Sequence, residues 1–589
     1  MGEHRRAGSV SGGRRGVSRG LVVLVVTLAL LAAAVFGWLA LRDRIADEGA
    51  QAAKACVEGE ATLAVTADPD IADAVRDVAE AFDATEPVVR DYCVRTSVTE
   101  RPSTVVADAL MSADYDAAIA GSRPSLWIPT DSASAVGVIG DRGAASTPRP
   151  LATSPVVLAV APALADTLGA AAVGWGDLPR LSASPNSLDS IGAVGWGSLR
   201  PAFPSGTSTS SALVAVASSV ADPTATASAP LTAEQSSAPA VVDAISTLSR
   251  AATAANNPTP DDVNAALDLM VRGGDPAGSS VHAVPVTEQQ LYNRISEGQQ
   301  LAAYRPAGAT PIADHPAVVL SDADETQRAA AADFVEFARG VGQRDAFLDR
   351  GFRLAEDATP TPISGLDFPA LGQPAATPDP AARNILLTTL ASPVRPSSTT
   401  VLLDVSGSME SVDGGATRLS NVSDALRQVV DTAPESDRLG LWTYSSALDG
   451  NNPYRVVQPL SPMTADPRGA LAVSLSGLDP ATATSTYASV QAAYASAVAN
   501  WTGDGPNSVL LITDGPNDDT SISSDRFLSS IAAAADPARP VRIDVVSLTD
   551  NTDIATLRAL TGQTGGEVVE VSSSDPTLAA TLERLTAAR

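Results

Sequence analysis

The stretch Thr400-Val-Leu-Leu-Asp-Val-Ser-Gly-Ser-Met409 decides how the second half of this chain folds. Apolar, β-favouring residues run up to Asp404 and stop, and Ser406 and Ser408 follow at alternate positions with Gly407 between them. A strand that is apolar on consecutive residues is one buried on both faces, as in a parallel sheet covered by helices. Ligands of open α/β sheets bind where such strands end. One carboxylate and two hydroxyls on a single loop offer only hard oxygen donors, which suits Mg²⁺, Mn²⁺ or Ca²⁺ and suits Zn²⁺ poorly. Gly407 allows the loop to turn tightly. The same residues also read as a helix cap, since Asp and Ser are common at that position.

Two further stretches extend the pattern. Val509-Leu-Leu-Ile-Thr-Asp514-Gly515 is a second apolar strand ending in a carboxylate, and Ala483-Thr484-Ser485-Thr486-Tyr487 precedes a helical pattern that reaches about Asn500. Taken together, Asp-x-Ser-x-Ser and these two loops resemble the metal-ion-dependent adhesion site of von Willebrand factor A domains. The resemblance implies a doubly wound, Rossmann-like α/β fold holding a divalent ion, Mg²⁺ with Mn²⁺ or Ca²⁺ as alternatives. It further implies that Ser406, Ser408 and Thr484 ligate the ion directly, that Asp404 and Asp514 act largely through water, and that a protein partner's acidic side chain fills the open position. Thr484 matches the second loop best because Tyr487 then falls where the family often has Tyr. Thr486, standing where Leu is usual, remains an alternative ligand, and Ala488 stands where an acidic residue is common.

At 589 residues the chain exceeds what one core organises, so two or three domains are expected. A formal net charge of −28 argues against nucleic acid, whose binding surfaces need clustered Lys and Arg. The three histidines, His4, His282 and His315, lack a nucleophile motif, so binding rather than enzymatic turnover is expected.

Arg5, Arg6, Arg14, Arg15 and Arg19 precede an apolar run from Leu21 to Leu41. As a helix that run would span roughly 31 Å, close to the hydrocarbon thickness of a bilayer. The expectation is a basic cytoplasmic tail over 1–20 and a transmembrane helix over 21–41. By the positive-inside rule, everything that follows would then be extracytoplasmic in a single-pass membrane protein. A cleaved signal peptide is the other reading. Cys56 and Cys93, the only cysteines, read as a disulfide in such a compartment, worth about 3 kcal/mol in the chain-entropy model.

From Glu60 to Ala355 short apolar runs alternate with helical stretches, which is α/β order. Ala61 to Val65, Val94 to Val98 and Tyr115 to Ile119 read as strands. Pro155 to Val160 leaves a first lobe, to which Leu301 to Tyr304 and Ala317 to Leu320 are expected to return. The phrases Tyr115-Asp-Ala-Ala-Ile-Ala with Trp127-Ile-Pro, Leu151-Ala-Thr-Ser-Pro-Val-Val-Leu-Ala, Gly174-Trp-Gly-Asp-Leu178 and Gly351-Phe-Arg353 resemble the extracellular solute-binding proteins of ABC transporters. That family implies two lobes over 56–358 with a small-molecule solute between them. Candidate contacts are Thr66 and Asp68 on one loop and Ser205, Gly206, Thr207 and Ser208 on another, the latter as an anion-holding helix start. Each has a plainer reading, a helix cap for the first pair and a Ser/Thr-rich surface loop for the second set.

Six prolines between Thr359 and Pro380 mark a stiffened linker, taken as 359–381, before a second unit over 382–589. Two functions are in play: a membrane-tethered protein that grips a protein partner through the metal, and a transport-system receptor whose A-domain only docks it.

Overall fold

The computed structural model describes all residues except 1–18, 54–55, 224–228, 256–259, 273, 356–357, 451, 550 and 588–589. Most of the expected basic tail, including Arg5, Arg6, Arg14 and Arg15, therefore lies outside the described residues. The helix that follows, α1 (Arg19–Ala53), does not end with the apolar run. It continues through Arg42, Asp43, Arg44, Asp47 and Glu48, which join apolar and charged residues in one rod. Among the described residues no helix is long and apolar enough to cross a membrane. This overturns the expected single-pass anchor, and with it the assignment of a cytoplasmic N-terminus and extracytoplasmic domains.

The chain divides into two compact units. The first comprises residues 1–128, 142–149 and 317–343, and the second comprises 129–141, 150–316 and 344–589. In the first, β1 (Gly59–Ala67) lies between β2 (Tyr92–Glu100) and β3 (Leu126–Ile128), parallel to both. The helix α2 (Pro69–Asp83) covers the sheet with Ile71, Val75, Val78 and Phe82 buried. The disulfide Cys56–Cys93 ties the entry of β1 to β2, in line with the sequence reading. The strand expected at Tyr115–Ile119 is absent. Asp116 accepts a hydrogen bond from Ala118 N at 2.9 Å and caps a single helical turn, while the apolar Leu126-Trp127-Ile128 takes the strand position.

The second unit holds two larger sheets and a two-stranded hairpin. In one, β4 (Ser154–Val160) pairs antiparallel with β5 (Ala283–Thr287) and with β6 (Ala302–Tyr304). Residues 302–304 therefore stay with β4. Only β7 (Pro316–Val319) returns to the first sheet, through the pairs Val318 with Trp127 and Val319 with Leu126. Helices α3 (Thr207–Ala221) and α4 (Pro239–Ala255) pack over this region. The proline-rich segment is not a free spacer, because Gly365 and Gln373 accept from Ala303 N and Thr310 N, and Ala375 N donates to Thr310 O. Arg353 donates to Pro369 O at 2.7 Å while pairing with the fully buried Glu288, which also accepts from Arg305. Next, α5 (Pro380–Ala391) inserts Ala382 and Leu386 into the cluster of Leu213, Ile245 and Leu248. The helix that spans the expected 381/382 boundary is thus part of the preceding core, and the last sheet starts at Ser398.

That last sheet has six strands: β8 (Ser398–Asp404), β9 (Arg438–Asp449), β10 (Asn452–Pro462), β11 (Asn507–Thr513), β12 (Val541–Ser547) and β13 (Val568–Glu570). Their order is β10-β9-β8-β11-β12-β13, parallel except for β10 at the edge. β10 was not legible in the sequence, where Pro459 and Pro462 and a half-exposed pattern hide it, as suits an edge strand. Val401 and Leu403 enter one core with α6 (Arg418–Thr432), and Leu402 enters the other with α7 (Thr486–Ala499), which is why this strand is apolar at consecutive positions. Strand order reverses between β8 and β11, the switch point at which open α/β sheets form crevices.

At the base of this sheet Asp437 accepts from Ser397 N at 2.7 Å, and burial pushes its carboxyl up to about 6 from the ordinary 3.8. The folded chain then holds this proton more tightly than the unfolded chain does between pH 4 and 6, so stability falls as pH rises through that window. Asp437→Asn should raise stability over the natural chain at pH 7 by up to about 3 kcal/mol, and the gain should vanish by pH 4. Thermal unfolding across this pH range measures it.

Candidate functional site

Side chains of three adjacent strands meet on one residue at the carboxyl ends of β8 and β11. Asp404 ends β8, Tyr444 is its partner in β9, and Thr513 ends β11. The Tyr444 hydroxyl donates to Asp404 Oδ2 at 3.1 Å and the Thr513 hydroxyl approaches the same oxygen at 3.0 Å, while Ser406 N donates to Oδ1 at 2.8 Å. Asp404 has no solvent exposure. Burial pushes its carboxyl up to about 6, against the pull of the Ser406 hydrogen bonds, and the nearby Asp514 charge pushes the same way. Burial also drives the Tyr444 hydroxyl well above its ordinary range, so it stays a donor.

Above this anchor lies a row of oxygens. Ser406 Oγ and Ser408 Oγ are 2.9 Å apart, and Ser408 Oγ donates to Asp514 Oδ1 at 2.6 Å. Asp514 is held from behind by Thr549, whose hydroxyl donates to its carbonyl at 2.6 Å. Gly407 contributes its N–H, given to Thr482 O at 2.7 Å, which joins the first loop to the second. Four of the five expected residues, Asp404, Ser406, Ser408 and Asp514, are thus linked in one hydrogen-bonded set.

Thr484 is placed differently. Its hydroxyl is bonded to Pro516 O at 2.7 Å and lies 3.0 Å from Asp518 Oδ2, so it ties the second loop to the third. Thr486, the alternative, opens α7 with its Oγ1 buried on the Tyr444 side of the anchor. The sequence reading missed Tyr444, Thr513, Asp518 and Arg418. Thr513 stood beside Asp514 at a strand end and was readable on that ground. Arg418, 2.8 Å from Asp514 Oδ2 through Nη1, carried no motif signal.

The donor set consists of hydroxyls and two carboxylates, which fits a hard divalent ion in chemistry. Among the described residues no group of three or more His, Cys, Asp or Glu side chains is placed to hold a metal.

The solute-contact candidates fall in different compact units. In the first, Thr66 is buried in β1, and Asp68 accepts from Asp70 N at 3.3 Å and from Ser103 N at 2.9 Å, so its carboxylate is engaged in capping. In the second, Ser205 is exposed and Gly206 is the cap residue of α3 with no side chain to offer. Thr207 starts that helix, and buried Ser208 donates to Gln290 Oε1 at 3.4 Å.

Removing the Tyr444 hydroxyl leaves a buried carboxylate one donor short. Tyr444→Phe should therefore destabilise the protein by about 1–3 kcal/mol in chemical denaturation, with unchanged cooperativity.

Two family models match the chain in keeping with this architecture. Residues 399–517 match the von Willebrand factor type A domain model, and residues 63–353 match that of bacterial extracellular solute-binding proteins. Among solved structures, a von Willebrand factor type A protein from Catenulispora acidiphila aligns at 18% identity and TM-score 0.27, over 33% of this chain and 42% of that one. The sulfate-binding protein SubI from Mycobacterium tuberculosis H37Rv aligns at 17% identity and TM-score 0.34, over 51% and 88%. Two relatives, the uncharacterized proteins MT1884 and Rv1836c of Mycobacterium tuberculosis, are each 33% identical over 579 residues, 96% of this chain and 83% of theirs. The chain belongs to the same family as these two proteins, and carries a solute-binding-protein-like region followed by a von Willebrand factor A domain.

Proposed function

We propose that this chain is a binding protein that captures a protein partner through a divalent ion at the carboxyl edge of its last sheet. The observation that carries the reading is the bonded row Ser406, Ser408 and Asp514 standing over the buried Asp404 at the strand-order switch. Ser406 and Ser408 would hold the ion directly and Asp514 and Asp404 would anchor it from behind. Thr484 would join as a ligand by giving up its bonds to the third loop. Mg²⁺ suits the set best, with Mn²⁺ and Ca²⁺ as alternatives. When bound, the ion supplies an electrophilic position that an Asp or Glu side chain of the partner occupies.

The work of the protein is to hold this arrangement ready. Tyr444 and Thr513 fix the Asp404 carboxylate, and Ser406 N binds its other oxygen, so the first loop keeps one shape. No general base outside the proposed ligands stands in the row, and the reading is of adhesion, not turnover.

The solute-binding-like region is proposed to act beside this site, either by holding a small molecule or as a scaffold. The second reading, a transport-system receptor docked by the A-domain, is favoured by the extent of the solute-binding match over residues 63–353. Thermal shift of the full chain with anions, sugars and amino acids separates a solute-holding region from a scaffold, since a scaffold shows none.

Partner capture should require Mg²⁺, and Asp404→Ala should abolish it. A pull-down with the full chain in Mg²⁺ and in chelator tests this. Equal capture by Asp404→Ala in chelator would sink the metal reading.

A further inference from the structure

Both oxygens of Asp514 are already taken. Oδ1 accepts the Ser408 hydroxyl, and Oδ2 accepts Arg418 Nη1 at 2.8 Å. The same Nη1 lies 3.4 Å from the Ser408 carbonyl, so the guanidinium bridges the first and third loops. Asp514 has no side-chain exposure and Arg418 is 23% exposed, so this pair is little screened by solvent.

The position of Arg418 follows from the local chain. After the first loop, residues 412–413 and 416–417 pair as a two-stranded hairpin. Thr417 then caps α6 by accepting from Ser420 N, and Arg418 is the first residue of that helix, with its own N–H donated to Ser411 O at 3.0 Å. The hairpin thus folds the helix start back onto the Ser406 to Ser408 loop. Among the described residues the buried Arg418 Nε has no hydrogen-bond partner, and the bonds of the guanidinium to both loops run through Nη1.

A guanidinium seated on a carboxylate cancels the charge that would draw a divalent ion to it, and repels that ion at close range. We propose that Arg418 is a tethered competitor for the ion: its guanidinium holds Asp514 and lowers ion affinity, and occupancy requires it to leave Asp514 Oδ2. The inference rests on the metal reading of the same site. It makes Arg418 a residue that sets affinity through Asp514, and it makes ion uptake and a change at the start of α6 one event.

The test is calorimetric titration of the full chain with Mg²⁺ and with Mn²⁺, comparing the natural chain with Arg418→Gln, Arg418→Ala and Arg418→Lys. Arg418→Gln keeps a hydrogen-bond donor without the charge and Arg418→Lys keeps the charge, so the pair separates electrostatics from packing. Circular dichroism of each variant establishes that it is folded. Gln and Ala should bind Mg²⁺ at least tenfold more tightly than the natural chain, and Lys should stay within about threefold of it. Equal or weaker binding by Arg418→Gln would overturn the proposal and make Arg418 a positioning residue for Asp514. Absence of ion binding in all four chains, with Asp404→Ala as control, would instead overturn the metal reading and this inference with it.

Discussion

Asp404 is a carboxylate without solvent exposure at the end of a central strand, and such a group is tolerated only where donors surround it. Three neighbouring pieces of backbone supply them: β9 through Tyr444, β11 through Thr513, and the following loop through Ser406 N. Tyr444 does so from within β9, Thr513 from the last residue of β11, and Ser406 from the loop that follows β8. The loop geometry above is therefore a result of satisfying one buried charge, and the row of Ser406, Ser408 and Asp514 inherits its order from below.

The two cores that flank the sheet make this possible. Leu402 packs with Tyr487, Val490 and Val509 on one side, and Val401 and Leu403 pack with Val422, Leu426 and Leu582 on the other. The strand cannot slip by one residue without exchanging these faces, so Asp404 is held in register with Tyr444. Precise placement at the sheet edge is thus set by hydrophobic packing several residues away.

Much of this second half was readable because its signals are local. Apolar runs ending in Asp404 and Asp514, and the helical stretch after Ala483 that reaches about Asn500, lie within single segments. What was missed depends on contacts between segments distant in sequence. Arg418 reaches Asp514 across 96 positions, and Thr484 turns to Asp518 across 34. No spacing rule announces either bond. At the N-terminus the error had another origin, since the apolar run Leu21 to Leu41 was read apart from the charged residues that continue the same helix to Ala53. In the solute-binding-like region, alternating runs announced strands but not their partners, and residues 302–304 joined β4 instead of the first sheet.

The segment between the two larger sheets of the second unit is stitched to its neighbours at Gly365, Gln373, Ala375 and Asp379, and then becomes a core helix. A chain bound in this way has surrendered its conformational freedom during folding and has none left to spend on swinging. It works as a splint instead of a leash. Insertions between these bonded points would pull them off their partners, which ordinary tethers do not suffer.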